Sequence, residues 1–142
     1  MILSDKVQDE IRDLWQDLKD PVEIRFYGGE GDASANETMK ALWDELQALN
    51  GLVQIQDIAS PLSQFLPEHD NERQGPISEV WFDGEFSGIR YLGIPSGYEF
   101  GGLVDTVRSL SIGLAPHISE ETQSWLKNLD HDLHLEVFVT PT

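Results

Sequence analysis

The chain has 142 residues, of which 26 are Asp or Glu and only nine are Lys or Arg, so its formal charge at pH 7 is −17. The basic residues are scattered singly among carboxylates, which excludes nucleic acid as a partner and disfavours anionic membrane surfaces. The acidity indicates either solubility through mutual repulsion or adaptation to a salty cytoplasm.

Hydrophobic residues make up 39% of the sequence, which is enough for a buried core, so we expect one folded domain or slightly more. No apolar run approaches the roughly 20 residues of a membrane span. Met1–Asp5 leads into an acidic helix rather than a signal peptide. We therefore expect a soluble, cytoplasmic protein that does not bind membranes.

Hydrophobic spacing divides the chain into helices and strands. Apolar residues at every third or fourth position indicate amphipathic helices, and strict alternation indicates strands with one buried face. In chain order, the predicted elements are a helix over Ser4–Leu18, a strand over Val22–Tyr27, a helix carrying Met39–Leu49, a strand over Leu52–Ile58, a short helix over Pro61–Leu66, a loop over Glu68–Gly75, strands over Ile77–Phe82 and Phe86–Leu92, and a helix carrying Phe100–Leu110.

The order of these elements predicts the architecture. Two strands that flank a helix pair in parallel through a right-handed crossover by default, and the Asp83-Gly84 pair predicts a tight hairpin turn. Ser34 and Glu37 have the spacing of a capping box at the start of the second long helix. A βαβ unit followed by a ββα unit describes an α/β, thioredoxin-like fold: a mixed four-stranded sheet flanked by helices, here with an extra N-terminal helix.

The end of the chain repeats the opening pattern of a polar helix followed by an alternating strand. Ser119–Leu129 is predicted as a helix and Leu133–Val139 as a strand. We therefore expect a thioredoxin-like domain over 1–115, and over 116–142 a helix-strand extension that looks like the start of a second, truncated unit. A strand with one apolar face and two edges predicts pairing with its own sheet or with a second chain as a homodimer.

The reactive side chains do not form a recognisable catalytic or metal site. The glycine-rich loop at 28–32 lacks the spacing of phosphate-binding loops. Asp32, Ser34 and Asn36 match the first positions of a calcium loop, but the glycine and glutamate that such a loop needs are missing, and helix capping accounts for them better. The chain contains no cysteine, so it has neither thiolate metal ligands nor a cysteine nucleophile. We expect no metal and no cofactor.

Two strings carry a resemblance to a known family. Arg90–Phe100, which reads Arg-Tyr-Leu-Gly-Ile-Pro-Ser-Gly-Tyr-Glu-Phe, resembles the turn into the last helix of the first unit in the glutaredoxin-like protein disulfide oxidoreductases, which contain two thioredoxin folds. The chain is also similar to the paired thioredoxin folds at the N-terminus of the alkyl hydroperoxide reductase F subunit. Phe138–Thr142 resembles the strand that runs into the second Cys-x-x-Cys of the disulfide oxidoreductases. In element order the resemblance covers essentially the whole chain.

The resemblance implies where the family's reactive groups would lie. Its first Cys-x-x-Cys falls on Ala33, Ser34, Ala35 and Asn36, with Ala33 in place of the attacking cysteine and Asn36 in place of the resolving one. Gly75-Pro76 takes the place of the family's cis-proline, which presents a backbone edge to a peptide substrate. We therefore expect a cis Pro76, the alternative being a trans proline that simply begins a strand.

Neither alanine nor asparagine supplies the thiolate that disulfide exchange needs, so the chain is not catalytic in that reaction as given. Two functions remain open. The chain is either a redox-inactive N-terminal unit that serves as scaffold or dock, with the working Cys-x-x-Cys beyond Thr142, or a standalone thioredoxin-like module. Such a module would bind a protein or an extended peptide beside Pro76.

Overall fold

The computed structural model describes residues 1–28, 32–59, 75–115 and 117–138. Its elements, in chain order, are α1 (Asp5–Leu14), a 3₁₀ turn (Trp15–Asp17), β1 (Val22–Tyr27), α2 (Ala33–Leu49), β2 (Val53–Asp57), β3 (Ile77–Phe82), β4 (Glu85–Leu92), α3 (Tyr98–Ile112) and α4 (Glu120–Lys127). The first predicted helix therefore ends at Leu14 rather than Leu18, because the chain tightens into the 3₁₀ turn before Pro21.

The four strands form one mixed sheet in the order β2-β1-β3-β4. β1 pairs with β2 in parallel, and the β1–β3 and β3–β4 pairs are antiparallel. Asp83 and Gly84 have φ angles of 51° and 79°, the left-handed backbone that a two-residue hairpin turn requires. The predicted βαβ and ββα units and the hairpin are confirmed.

One hydrophobic core lies between a face of the sheet and the first three helices. Its fully buried side chains come from every layer: Trp15 from the 3₁₀ turn, Val22 and Ile24 from β1, Met39, Trp43 and Leu46 from α2, Val80 from β3, and Leu103 and Val107 from α3. The two buried indoles have hydrogen-bond acceptors: Nε1 of Trp15 donates to the carbonyl of Val104 at 3.0 Å, and Nε1 of Trp43 donates to Oγ of Ser78 at 2.9 Å. The core thereby avoids unsatisfied polar groups.

The predicted helix at Ser119–Leu129 is confirmed as α4, whose N-cap hydroxyl, Oγ of Ser119, accepts from the amide of Thr122 at 3.1 Å. The predicted strand at Leu133–Val139 is wrong over the residues that the structure describes, since 133–138 have no regular secondary structure. A strand is held by hydrogen bonds to a neighbour, and an alternating sequence does not by itself provide one. Leu135 and Val137 are each 84% exposed.

Three other predictions are not tested by the structure. The short helix over Pro61–Leu66 and positions 68–74 of the predicted loop lie outside the described residues. The division into units over 1–115 and 116–142 stays a prediction. None of the described helices combines the length and the apolar composition that crossing a membrane requires.

Candidate functional site

The N-terminus of α2 carries the four positions that the family resemblance assigns to a Cys-x-x-Cys, Ala33 to Asn36. β1 ends at Tyr27 and α2 begins at Ala33, so these four positions form the first turn of the helix. Ala33 and Ser34 are exposed, whereas Ala35 and Asn36 are half-buried. An exposed first position and a partly covered fourth position suit a reactive pair, but the side chains present are a methyl group and an amide.

Asp32 occupies the N-cap of this helix. Its carboxylate accepts hydrogen bonds from the backbone amides of Ser34 at 2.9 Å and Ala35 at 3.1 Å. A negative charge at this position also interacts favourably with the helix dipole. The capping box predicted from Ser34 and Glu37 is therefore wrong, because the helix starts one residue before Ser34 and the carboxylate satisfies the free amides first.

Asn36 lies against the end of β1. A Cβ atom built on Gly28 would be 3.9 Å from Cγ of Asn36 and 3.7 Å from Cε1 of Phe26, so the strand end and the first helical turn are in close contact. The backbone amide of Asn36 donates to the carbonyl of Asp32 at 3.0 Å, which is the first intrahelical bond. The scaffold around these positions is thus a well-formed strand-to-helix junction.

Pro76 lies at the same end of the sheet. Ile77, the next residue, pairs with Tyr27, the last residue of β1, so the register places Gly75-Pro76 and the start of α2 beyond the same strand end. No peptide bond between described residues is cis, so the expected cis Pro76 is wrong. Pro76 is a buried, trans, strand-initiating proline whose carbonyl accepts the amide of Gly93 at 2.8 Å; a trans bond suffices for this pairing.

The sheet face opposite the hydrophobic core carries a polar network that the sequence did not reveal. Its centre is Glu79 on β3, which is 3% exposed. Oε2 of Glu79 accepts from the hydroxyl of Tyr27 at 3.2 Å and from Nε1 of Trp81 at 3.0 Å, and Oε1 accepts from Nε of Arg90 at 3.0 Å. Burial, reinforced by the charge of Glu79, raises the pKa of Tyr27, so that this hydroxyl stays a proton donor to the carboxylate.

The network continues across β1 and β2. The guanidinium of Arg25 lies 3.5 Å from the ring centroid of Trp81 and forms an ion pair with Glu23. The other oxygen of Glu23 accepts from the side-chain amide of Gln56 at 3.0 Å. Each arginine of this face thus has a carboxylate partner, so both guanidinium charges are balanced within the sheet.

The sequence contained a weak signal for this network, a lone glutamate within the apolar strand Ile77–Phe82. Its cross-strand partner, Arg90, could not be identified from the sequence because a β-bulge changes the register of the hairpin. A regular hairpin closed by Asp83-Gly84 would pair Glu79 with Gly88, but two extra residues in β4 shift the register so that Glu79 pairs with Arg90. Among the described residues, no three His, Asp or Glu side chains are grouped in a way that could hold a metal ion.

Comparison with known proteins identifies relatives of this chain by sequence. No protein-family model matches the chain. It is 35% identical over 130 residues, 92% of its length, to the F subunit of alkyl hydroperoxide reductase from Staphylococcus aureus, and 28% identical over 140 residues, 99% of its length, to an NADH dehydrogenase of Ferdinandcohnia aciditolerans. The chain spans about a quarter of each of these relatives, 24% in both cases.

Solved structures agree with the sequence matches. A mutant F subunit of the alkylhydroperoxide reductase of Enterococcus faecalis superposes with a TM-score of 0.69 at 18% identity, covering 87% of this chain and 59% of the other. A protein disulfide oxidoreductase of Aeropyrum pernix superposes with a TM-score of 0.66 at 22% identity, covering 89% of this chain and 55% of the other. The chain therefore has the thioredoxin-like fold, and its resemblance to the N-terminal part of the reductase F subunit and to protein disulfide oxidoreductases is confirmed.

Proposed function

We propose that this chain is a redox-inactive thioredoxin-like unit that serves as a scaffold or as a dock for a protein substrate or partner, with any disulfide exchange in a second unit beyond Thr142. The observation that carries the proposal is the first turn of α2. It follows β1 directly, the resemblance assigns the two thiol positions to Ala33 and Asn36 in this turn, and the chain contains no cysteine. A cytoplasmic location belongs to the same proposal, since the chain makes no use of the disulfides typical of oxidising compartments.

Thiol chemistry introduced at these two positions tests whether the scaffold of a redox site is retained. We expect the Ala33→Cys/Asn36→Cys variant to form an intrachain disulfide on mild oxidation and to reduce insulin with dithiothreitol faster than the unaltered chain. A thiol in the first turn of a helix gains thiolate character from the helix dipole. Mass spectrometry and insulin turbidity measure the two effects.

A matched control has the same spacing one residue further along the helix. Ser34→Cys/Glu37→Cys moves both thiols by about 100° around the axis and out of line with the strand-to-helix junction. If this shifted pair is as active as the first pair, the positional equivalence of Ala33 and Asn36 to the reactive cysteines is wrong. The unaltered chain gives the background rate.

A second candidate is a standalone module that binds proteins or extended peptides. It is favoured by exposed apolar side chains on and just after β4: Phe86 (38%), Leu92 (49%) and Ile94 (38%). The genomic sequence after the codon for Thr142 separates the two candidates. A Cys-x-x-Cys directly downstream supports the scaffold of a larger oxidoreductase, whereas a stop codon supports the standalone module.

A further inference from the structure

We propose that Asn50 is a site of spontaneous deamidation to aspartate and isoaspartate, and that the folded chain suppresses this reaction by holding both ends of the side-chain amide. The proposal goes beyond the proposed function and does not depend on it. It rests on the pair Asn50-Gly51 at the end of α2 and on the hydrogen bonds of the asparagine side chain, all within the described residues.

The sequence around Asn50 favours the reaction. The backbone nitrogen of Gly51 attacks Cγ of Asn50 and forms a new N–C bond, while the Cγ–Nδ2 bond breaks and the side-chain nitrogen leaves as ammonia with the proton of the attacking amide. The resulting cyclic succinimide takes up water at either carbonyl and opens to aspartate or to isoaspartate. A glycine leaves the attacking nitrogen unobstructed, and Asn50-Gly51 is the only Asn-Gly pair in the sequence.

The fold holds the side-chain amide of Asn50 at both of its polar atoms. Nδ2 donates to the carbonyl of Trp15 at 3.0 Å, and Oδ1 accepts from the backbone amide of Leu52 at 3.0 Å. Trp15 is 1% exposed and belongs to the core, so this acceptor is fixed in place. The amide plane cannot turn towards the nitrogen of Gly51, and Nδ2 cannot leave, until these bonds break. The reaction therefore proceeds from a locally opened state.

Either product disturbs the junction between α2 and β2. A carboxylate at position 50 has no N–H to donate to Trp15, and it places a negative charge at the C-terminal end of α2, where the helix dipole disfavours it. Isoaspartate also adds a methylene group to the backbone of the turn in which the amide of Val53 donates to the carbonyl of position 50 at 3.0 Å. Val53 is the first residue of β2 and pairs with Val22, so the start of the parallel β1–β2 ladder is affected. A chain that has opened and reacted is therefore less stable than before.

Incubation of the folded chain, and of the same chain in concentrated guanidinium chloride, at mildly alkaline pH measures the suppression. Peptide mapping by mass spectrometry follows conversion at Asn50, and an isoaspartate-specific carboxyl methyltransferase detects the isoaspartate. Because two hydrogen bonds must open, we expect conversion at Asn50 to be at least about ten times slower in the folded chain. The other asparagines are each followed by glutamate or leucine, so they should convert more slowly than Asn50 in the unfolded chain.

Gly51→Ala is the matched control for the chemistry. A Cβ atom at position 51 has no neighbour within 4 Å, so the substitution fits the folded chain, while its methyl group obstructs the attacking nitrogen. We expect this variant to fold as the unaltered chain does and to deamidate several-fold more slowly at Asn50 in guanidinium chloride.

Asn50→Asp reproduces the aspartate product and tests its effect on the fold. We expect the equilibrium constant for unfolding to rise by about tenfold, because the bond to Trp15 is lost and the helix end gains a charge. Asn128→Asp is the control for charge at a helix end. Asn128 is the C-cap of α4, which has no buried side chain, so the constant should change by less than about twofold.

Three outcomes would overturn the proposal. Equal conversion at Asn50 in the folded and unfolded chains would mean that the hydrogen bonds do not protect it. Conversion in Gly51→Ala as fast as in the unaltered chain would mean that the glycine does not direct the reaction. Equal effects of Asn50→Asp and Asn128→Asp on unfolding would contradict the role of the contact with Trp15. None of these results bears on the thiol test at Ala33 and Asn36.

Discussion

Glu79 is the one charged side chain that is buried among the residues the structure describes. Glu79→Gln keeps the shape of this side chain but replaces the charged acceptor of Tyr27, Trp81 and Arg90 by a neutral amide. Since hydrogen bonds to charged groups contribute about 1.5–3 kcal/mol each, we expect the free energy of unfolding to fall by about 2 kcal/mol.

Urea unfolding followed by tryptophan fluorescence measures this change. The matched control is Glu85→Gln on the same hairpin, where the side chain is exposed and the expected change is below about 0.5 kcal/mol. Equal losses for the two variants would show that the carboxylate at position 79 has no structural role.

The same network predicts how stability changes at alkaline pH. Burial raises the pKa of Tyr27 above its ordinary value of 10.0, with a further contribution from the charge of Glu79. The folded chain therefore keeps this proton at pH values where the unfolded chain has lost it, so the free energy of unfolding decreases as the pH rises above 10. Burial raises the pKa of Tyr91 in the same direction.

Tyr27→Phe should make this decrease shallower without abolishing it, because Tyr91 still contributes. Denaturant titrations at a series of pH values measure the slope. Tyr98→Phe is the control, since Tyr98 is 99% exposed. If the slope of Tyr27→Phe matches that of Tyr98→Phe, the phenol of Tyr27 does not titrate as the structure implies.

At the level of single residues, sequence patterns predicted the sheet face on which a side chain lies better than they predicted the residue that it contacts. The alternation of Val22–Tyr27 correctly placed Glu23, Arg25 and Tyr27 on one face, but it indicated a solvent face, whereas Tyr27 is 6% exposed. The pairing of Glu79 with Arg90 depends on a bulge that no local pattern marks. The cis Pro76 was predicted from family resemblance alone, and in this chain the residue is trans and immediately precedes β3.

The start of α2 gives a prediction at the scale of a whole element. The side chain of Asp32 satisfies two backbone amides at the N-terminus of the helix. Asp32→Ala should therefore lower the free energy of unfolding by about 1 kcal/mol, the usual cost of losing an N-cap. Thermal and urea unfolding measure the change.

Ser34→Ala is the informative comparison, because Ser34 is the cap that sequence spacing predicted. In the structure it is the second residue of α2, where alanine is a better helix former than serine, so we expect no loss or a slight gain in stability. A loss at position 34 as large as that at position 32 would restore the capping box and contradict the observed helix start.

Elements were predictable where local chemistry alone determines them. The Asp83-Gly84 turn specifies a hairpin, and the apolar spacing of α2 and α3 specifies helices that cover one sheet face. The segment over 133–138 has an equally clear alternating pattern, yet no described strand lies beside it. Pairing partners are non-local, so a single sequence indicates that a segment could be a strand without indicating what it pairs with.

At the scale of the whole molecule, charge is the property least explained by the fold. Six of the nine basic residues form ion pairs with carboxylates among the described residues: Lys6, Arg12, Arg25, Lys40, Arg90 and Arg108. The remaining acidic excess repels itself in the folded state and is diluted in the unfolded chain. Screening this repulsion should therefore stabilise the fold.

We expect the midpoint of thermal unfolding to rise by about 4 °C, equivalent to about 1 kcal/mol, as NaCl increases from about 0.1 to 1 M and the Debye length falls from about 10 to 3 Å. Calorimetry or circular dichroism measures the midpoint. A rise that levels off well below 1 M would indicate simple screening, whereas a continued rise towards molar salt would support adaptation to a salty cytoplasm.

Near the isoelectric point of about 4.3 the net charge vanishes, so the same salt series should there have little effect. A salt effect of equal size at that pH would mean that NaCl acts through hydrophobic burial, and the charge of −17 would then not limit stability.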